Sequence, residues 1–240
     1  MTFSTGRLPS FGRFFMDEPV LVLRPEPGAA RTMERLRALR FRPIAYPLFA
    51  VEPFDWTPPD PAGFDAVLLT SANALRHGGP GLSRYFAHPA IAVGEATAVA
   101  ARQAGFRAVE VGGGDIASTM PVLARAGYQH ILHPGGQERR GVDAHGLSIT
   151  VVPVYRSVPL GDKEGLARAL PRDAAAFALI HSPRAGARFA ELTTTEQRCR
   201  IAIVAISIAA SDACETGWRE RVAAGQPTEA ALLAGLQMLV

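Results

Sequence analysis

Ala66-Val-Leu-Leu-Thr-Ser-Ala-Asn-Ala74 decides the fold. The four apolar residues 66–69, bounded by polar ones, read as a strand covered on both faces. Thr70, Ser71 and Asn73 then sit at a strand-to-helix turn. Such a turn leaves backbone N–H groups without intrahelical partners, beside the positive end of a helix dipole, and so suits an anion. About 111 residues later the chain repeats the design in Ala178-Leu-Ile-His-Ser-Pro-Arg-Ala185, with Ser182 in the place of Ser71.

The flanking sequence alternates between buried strands and helices. Val20–Leu23, Ala90–Val93, Ile131–Leu132, Phe177–Ile180 and Ile201–Ile206 read as strands. Helices are expected over Ala29–Phe41, from Glu95 to a stop at Gly105, after a cap at Asp115, over Lys163–Leu170, from Ser207 to Thr216, and after Thr228. The turn Gly94-Glu-Ala-Thr97 and the turn at Ser207 add two more polar strand ends. His133-Pro-Gly-Gly136 reads as a further turn, followed by a poorly patterned helix. Strands alternating with helices imply parallel sheets in a three-layer α/β arrangement. A repeat this long signals two domains rather than a solenoid.

Ile44–Val51 and Thr150–Val158 are the two long extended segments, and they pair as a connection between the domains. Pro53, Pro58, Pro59 and Pro61 mark a crossing between regions. Residues 1–18 read as an N-terminal extension: they lack the unbroken apolar run of a signal peptide.

Composition narrows the function classes. The 240 residues are 48% hydrophobic and 20% charged, which is globular. No apolar run is long enough for a membrane helix. The net charge is +3, and arginines are scattered with no run longer than Arg139-Arg140, so no nucleic-acid partner is expected. Cys199 and Cys214 have neither ligand spacing nor a disulfide framework, and the reading is two structural thiols in a reducing cytoplasm. The six histidines include no i,i+4 pair, so no metal site is expected. Ser71 and Ser182 lie outside the GxSxG pattern of a hydrolase elbow.

What remains is four polar turns at the carboxyl ends of strands, where open α/β sheets bind ligands. Plain helix capping explains any one of them. Four together, two from each half, point to a shared ligand between the domains, and the charge balance leaves room for a polyanionic small molecule.

Leu23-Arg-Pro-Glu-Pro-Gly28, Leu69-Thr-Ser-Ala-Asn-Ala74, Ala92-Val-Gly-Glu-Ala-Thr97, Val154-Tyr155-Arg156, His181-Ser-Pro-Arg-Ala185 and Pro227-Thr-Glu-Ala-Ala231, in this order, resemble the uroporphyrinogen-III synthase family over roughly residues 19–240. The resemblance implies two flavodoxin-like α/β domains joined by a two-stranded β-ladder, the first domain discontinuous. That puts residues 19–45 and 159–240 in one domain, 53–149 in the other, and the ladder at 46–52 and 150–158.

It also implies a monomeric, cytoplasmic lyase of heme and tetrapyrrole biosynthesis that uses no cofactor. The substrate would be hydroxymethylbilane, a linear tetrapyrrole with eight carboxylates. It loses water and closes with its last pyrrole inverted. By position, Thr70, Ser71, Asn73, Gly94, Thr97, Ser182 and Ser207 match substrate-binding turns, and Tyr155 matches a tyrosine that assists the departing hydroxyl. Asn73 stands where some members carry Arg, and Arg40 where a helix-ending Gly is common. The rival class is a non-catalytic two-domain binder of a polyanion.

Overall fold

The computed structural model describes residues 18–138, 144–171 and 175–240. The N-terminal extension lies outside these apart from Glu18, and the helix expected after Gly136 falls largely on residues 139–143, which also lie outside them. The chain divides into two compact units, residues 1–50 with 159–240, and residues 51–158.

The first unit holds a five-stranded sheet. Its strands are β1 (Pro19–Val22), β2 (Arg42–Ala45), β9 (Ala176–Ile180), β10 (Ile201–Ala205) and β11 (Glu220–Ala223). They lie in the order β11-β10-β9-β1-β2, and every pairing is parallel. Alternation along the strands supplies two cores at once. Ala176, Ala178 and Ile180 face one cluster with Ile201, Ile203 and Phe189. Phe177 and Leu179 face the other, with Val20, Val22, Leu36 and Leu232. Helices α1 (Gly28–Ala38) and α9 (Glu229–Gln237) cover that second face, and α6 (Pro183–Leu192) the first.

The second unit is built on β4 (Ala66–Leu69), β5 (Ala90–Ala92), β6 (Val109–Val111), β7 (His130–Gly136) and β8 (Ser148–Pro159), with β3 (Phe49–Pro53) outside β8. The order is β3-β8-β7-β4-β5-β6. β4 pairs parallel with β5 and β7, β5 with β6, and β7 with β8. Val67 and Leu69 face one core, Ala66 and Leu68 the other. Helices α2 (Ala72–His77), α3 (Glu95–Ala104) and α4 (Ile116–Arg125) follow β4, β5 and β6. Both sheets therefore have the expected parallel α/β character.

Several local expectations change. The segment Ile44–Val51 is not one strand. β2 ends at Ala45 and β3 begins at Phe49, with Pro47 between them. Pro43 is tolerated inside β2, an edge strand of its sheet. Where the ladder was expected, at 46–52 and 150–158, β3 lies beside the longer β8, and β8 also pairs with β7 in the same six-stranded sheet. β7 runs through His133-Pro-Gly-Gly136 instead of turning there. β11 carries Glu220 and Arg221, and its charges hid an edge strand. The helix after Ser207, α8 (Ile208–Asp212), stops well short of Thr216. Among the described residues no helix is long and apolar enough to cross a membrane.

Candidate functional site

Three serines begin helices in the same way. Ser71, Ser182 and Ser207 all have extended backbone angles and cap α2, α6 and α8. Each Oγ accepts at 3.2 Å, from the N–H of Asn73, Ala185 and Ala210 respectively. An accepting hydroxyl still has its proton to donate outward. The capping role and a ligand-binding role are thus compatible in one side chain. α2 and α8 are short, so their dipoles are small, and what these turns offer an anion is hydroxyls and free backbone N–H groups. Gly94 starts α3 without a side chain, and the space where its Cβ would stand is open, so a ligand can approach the backbone closely.

The other expected residues of the second unit differ in what they offer. Thr97 is buried, 8% exposed, and its N–H is bonded to the Gly94 carbonyl. Asn73 Oδ1 accepts from Arg76 at 3.1 Å, which brings a guanidinium beside it on the next turn of α2. Thr70 Oγ1 lies 3.0 Å from Nε2 of His133, a nearly buried imidazole on β7. Tyr155 lies opposite Gly136 in the β7–β8 ladder. Its ring is 6.4 Å from that of His77, at the end of α2. Burial, then the nearby Arg76, lowers the His77 pKa, so that imidazole is neutral at pH 7.

The second unit thus brings Thr70, Ser71, Asn73 and Gly94 to the carboxyl ends of β4 and β5, with Tyr155 across β7. Neither His77 nor His133 has a ligand spacing, so the sequence alone did not single them out. The spacing His133-x-Gly-Gly136 was the available signal, because two glycines in a strand mark a close approach by other groups.

The first unit places Ser182 and Ser207 after β9 and β10. Beside Ser182 lies a cluster that pattern reading missed. Glu229, the first residue of α9, receives hydrogen bonds from Arg24 Nη1 (2.8 Å), from the Thr32 hydroxyl and from His181 Nε2 (3.3 Å). Burial pushes the Glu229 carboxyl up, but the His181 and Thr32 hydrogen bonds, with the Arg24 guanidinium, prevail and hold it at about 2. Nδ1 of His181 is buried with no hydrogen-bond partner. Arg24 and Glu229 are 205 residues apart, so no local motif announces the pair.

Of the two cysteines, Cys214 is buried and Cys199 exposed. Cys214 Sγ donates to the Ala210 carbonyl at 3.3 Å, and burial pushes the thiol up to about 11. Among the described residues no group of three or more His, Cys, Asp or Glu side chains could hold a metal ion.

The family model described as uroporphyrinogen-III synthase HemD matches residues 30–234. Among solved structures, uroporphyrinogen-III synthetase from Helicobacter pylori is 18% identical, covers 94% of this chain and all of its own, and superposes with a TM-score of 0.67. A mutant uroporphyrinogen III synthase from Thermus thermophilus is also 18% identical, covers 92% of this chain and 98% of its own, and has a TM-score of 0.52. At these identities the structural likeness speaks for the fold. No curated protein sequence matches significantly. The family match takes in β2 to β11 and every turn described above, and the chain belongs to the uroporphyrinogen-III synthase HemD family.

Proposed function

We propose that this chain cyclises hydroxymethylbilane to uroporphyrinogen III, the lyase reaction of its family in heme and tetrapyrrole biosynthesis, and that the turns and Tyr155 divide the work. The observation that carries the reading is the recurrence of one capped turn, at Ser71, Ser182 and Ser207, each with a hydroxyl proton to spare. With Gly94, Thr70, Asn73 and Thr97 these turns hold the substrate carboxylates, and no single one dominates.

Tyr155 assists the chemistry. Its phenol gives a proton to the departing hydroxyl, which leaves as water while the pyrrole nitrogen pushes electrons toward the breaking C–O bond. The resulting azafulvene-like cation closes at the substituted carbon of the last ring through a spiro intermediate. Loss of one proton from the closed ring restores the phenol. The cation reacts without further activation, so the protein contributes mainly position. The neutral imidazole of His77, 6.4 Å from the Tyr155 ring, suits a site that must tolerate a cation without fixing it to one counter-charge. We further propose a monomer that works in the cytoplasm.

The test is to incubate the protein with freshly made hydroxymethylbilane and separate the porphyrin isomers. Type III product is expected. Only the spontaneous type I isomer would mean a non-catalytic binder of the same polyanion.

A further inference from the structure

The β7–β8 ladder is irregular where Tyr155 sits. Gly135 pairs with Pro153 but Gly136 pairs with Tyr155, so Val154 is an extra residue on β8. A β-bulge of this kind re-aims the side chain that follows it. In a regular strand Tyr155 would point away from the face that Val154 occupies. Here Val152, Val154 and Tyr155 all pack on one cluster, with Val67, Leu69 and Leu132. Beyond the bulge the ladder resumes, with the Gln137 N–H donating to the Tyr155 carbonyl at 2.8 Å.

The glycine opposite is the second half of the arrangement. A Cβ on Gly136 would stand 2.9 Å from Cε2, 3.1 Å from Cζ and 3.3 Å from the hydroxyl oxygen of Tyr155. All three atoms belong to the hydroxyl end of the ring. The phenol therefore rests on bare backbone, and any side chain at 136 must push its oxygen away.

We propose that Gly136 is a positioning residue for ring closure: together with the bulge at Val154 it forms the seat that fixes where the Tyr155 hydroxyl meets the leaving group. This rests on Tyr155 acting as the proton donor. Gly136 touches no substrate in this account and works only through the phenol.

The experiment is a double-mutant cycle, read by single-turnover closure at saturating hydroxymethylbilane. Gly136→Ala alone is expected to slow closure on the order of tenfold, since small misplacements of a reacting group are costly. KM should stay near the parent value. In a Tyr155→Phe background the same substitution should slow closure less than about twofold, because no hydroxyl remains to misplace. An equal loss in both backgrounds overturns the proposal, because Gly136 would then act on something other than the phenol.

If Tyr155→Phe is as fast as the parent, it is the reading of Tyr155 that fails, and the seat is then judged by melting alone. Gly136→Ala should lower the melting temperature of the parent but not that of Tyr155→Ala, which has no ring to strike. Equal lowering in both overturns the seat. If Gly136→Ala does not fold in the parent, the Gly136→Ala/Tyr155→Ala protein decides: folded supports the seat, unfolded overturns it.

Discussion

The two units arrange their strands alike. From one edge, the first runs β11-β10-β9-β1-β2, and the second runs β6-β5-β4-β7-β8 before β3 is added. Ser182 after β9 therefore answers Ser71 after β4, and β1 answers β7. The residue before each cap serine also reaches outward, but to different chemistry. His181 meets Glu229 and, through it, Arg24 and Thr32. Thr70 Oγ1 meets His133 Nε2, and the neutral imidazole of His77 lies by the Tyr155 ring. One turn is locked by charges that satisfy each other. The other has a threonine–histidine pair, Arg76 on the next turn of its helix, and an aromatic ring on a glycine seat. Under the proposed function one backbone design thus serves two purposes: the caps of both units grip, and the second unit, through Tyr155, also reacts.

The largest effect that sharpens this contrast is expected at Tyr155. Tyr155→Phe keeps the ring and removes the donor, and should slow closure about 10²-fold, the low end for general acid assistance, with an unchanged melting temperature. Closure as fast as in the parent would make Tyr155 a ladder aromatic only.

Next comes Glu229, whose loss should be felt in stability. Glu229→Gln should destabilise the fold by about 2 kcal/mol at pH 7, since Arg24 loses its counter-charge and His181 and Thr32 lose a carboxylate acceptor. The sign with pH follows from the carboxyl held at about 2, below its ordinary 4.5. Its contribution is complete above about pH 4.5 and is lost as the pH falls toward 2. Denaturant melts of the parent should weaken across that window more steeply than those of Glu229→Gln. Parallel pH curves would show that the cluster is not the lock described.

Smaller effects are expected at the caps. Ser71→Ala and Ser182→Ala should each weaken substrate binding by about 1 kcal/mol, near fivefold, because each removes one neutral hydrogen bond among many. Binding isotherms with a carboxylated tetrapyrrole would read this. A folded Ser71→Ala protein with no activity at all would instead mark Ser71 as a nucleophile.

The smallest contrast is in how helices end. In the second unit α3 runs into Gly105 at φ +116, but in the first unit α1 runs into Arg40 at φ +65. An L-residue in that left-handed region is strained, and glycine's greater chain entropy offsets only part of the relief. Arg40→Gly should stabilise the protein by about 0.5 kcal/mol, seen as a small rise in melting temperature.

The legible parts of the fold were those with uniform environments. β4, β9 and β10 are covered on both faces, so they read as unbroken apolar runs, and the cap serines after them were visible as polar stops. Arg40 stood out in the sequence for the same reason that it is strained in the structure. Edges were harder: Glu220 and Arg221 concealed β11, and Pro47 split a segment that looked continuous. The Gly135-Gly136 pair reads locally as a turn, and only the opposing ring of Tyr155 explains why it lies in a strand. The Arg24–Glu229 lock depends on two chain ends meeting, which no window of sequence contains.

The division between grip and reaction is tested most directly by single-turnover closure at saturating hydroxymethylbilane, with Tyr155→Phe and Ser182→Ala measured side by side. At saturation a pure binding loss disappears, but a loss of chemistry remains. Tyr155→Phe should stay about 10²-fold slow, and Ser182→Ala should recover the parent rate. A Ser182→Ala protein that stays slow at saturation beside a Tyr155→Phe protein at the parent rate would contradict the account.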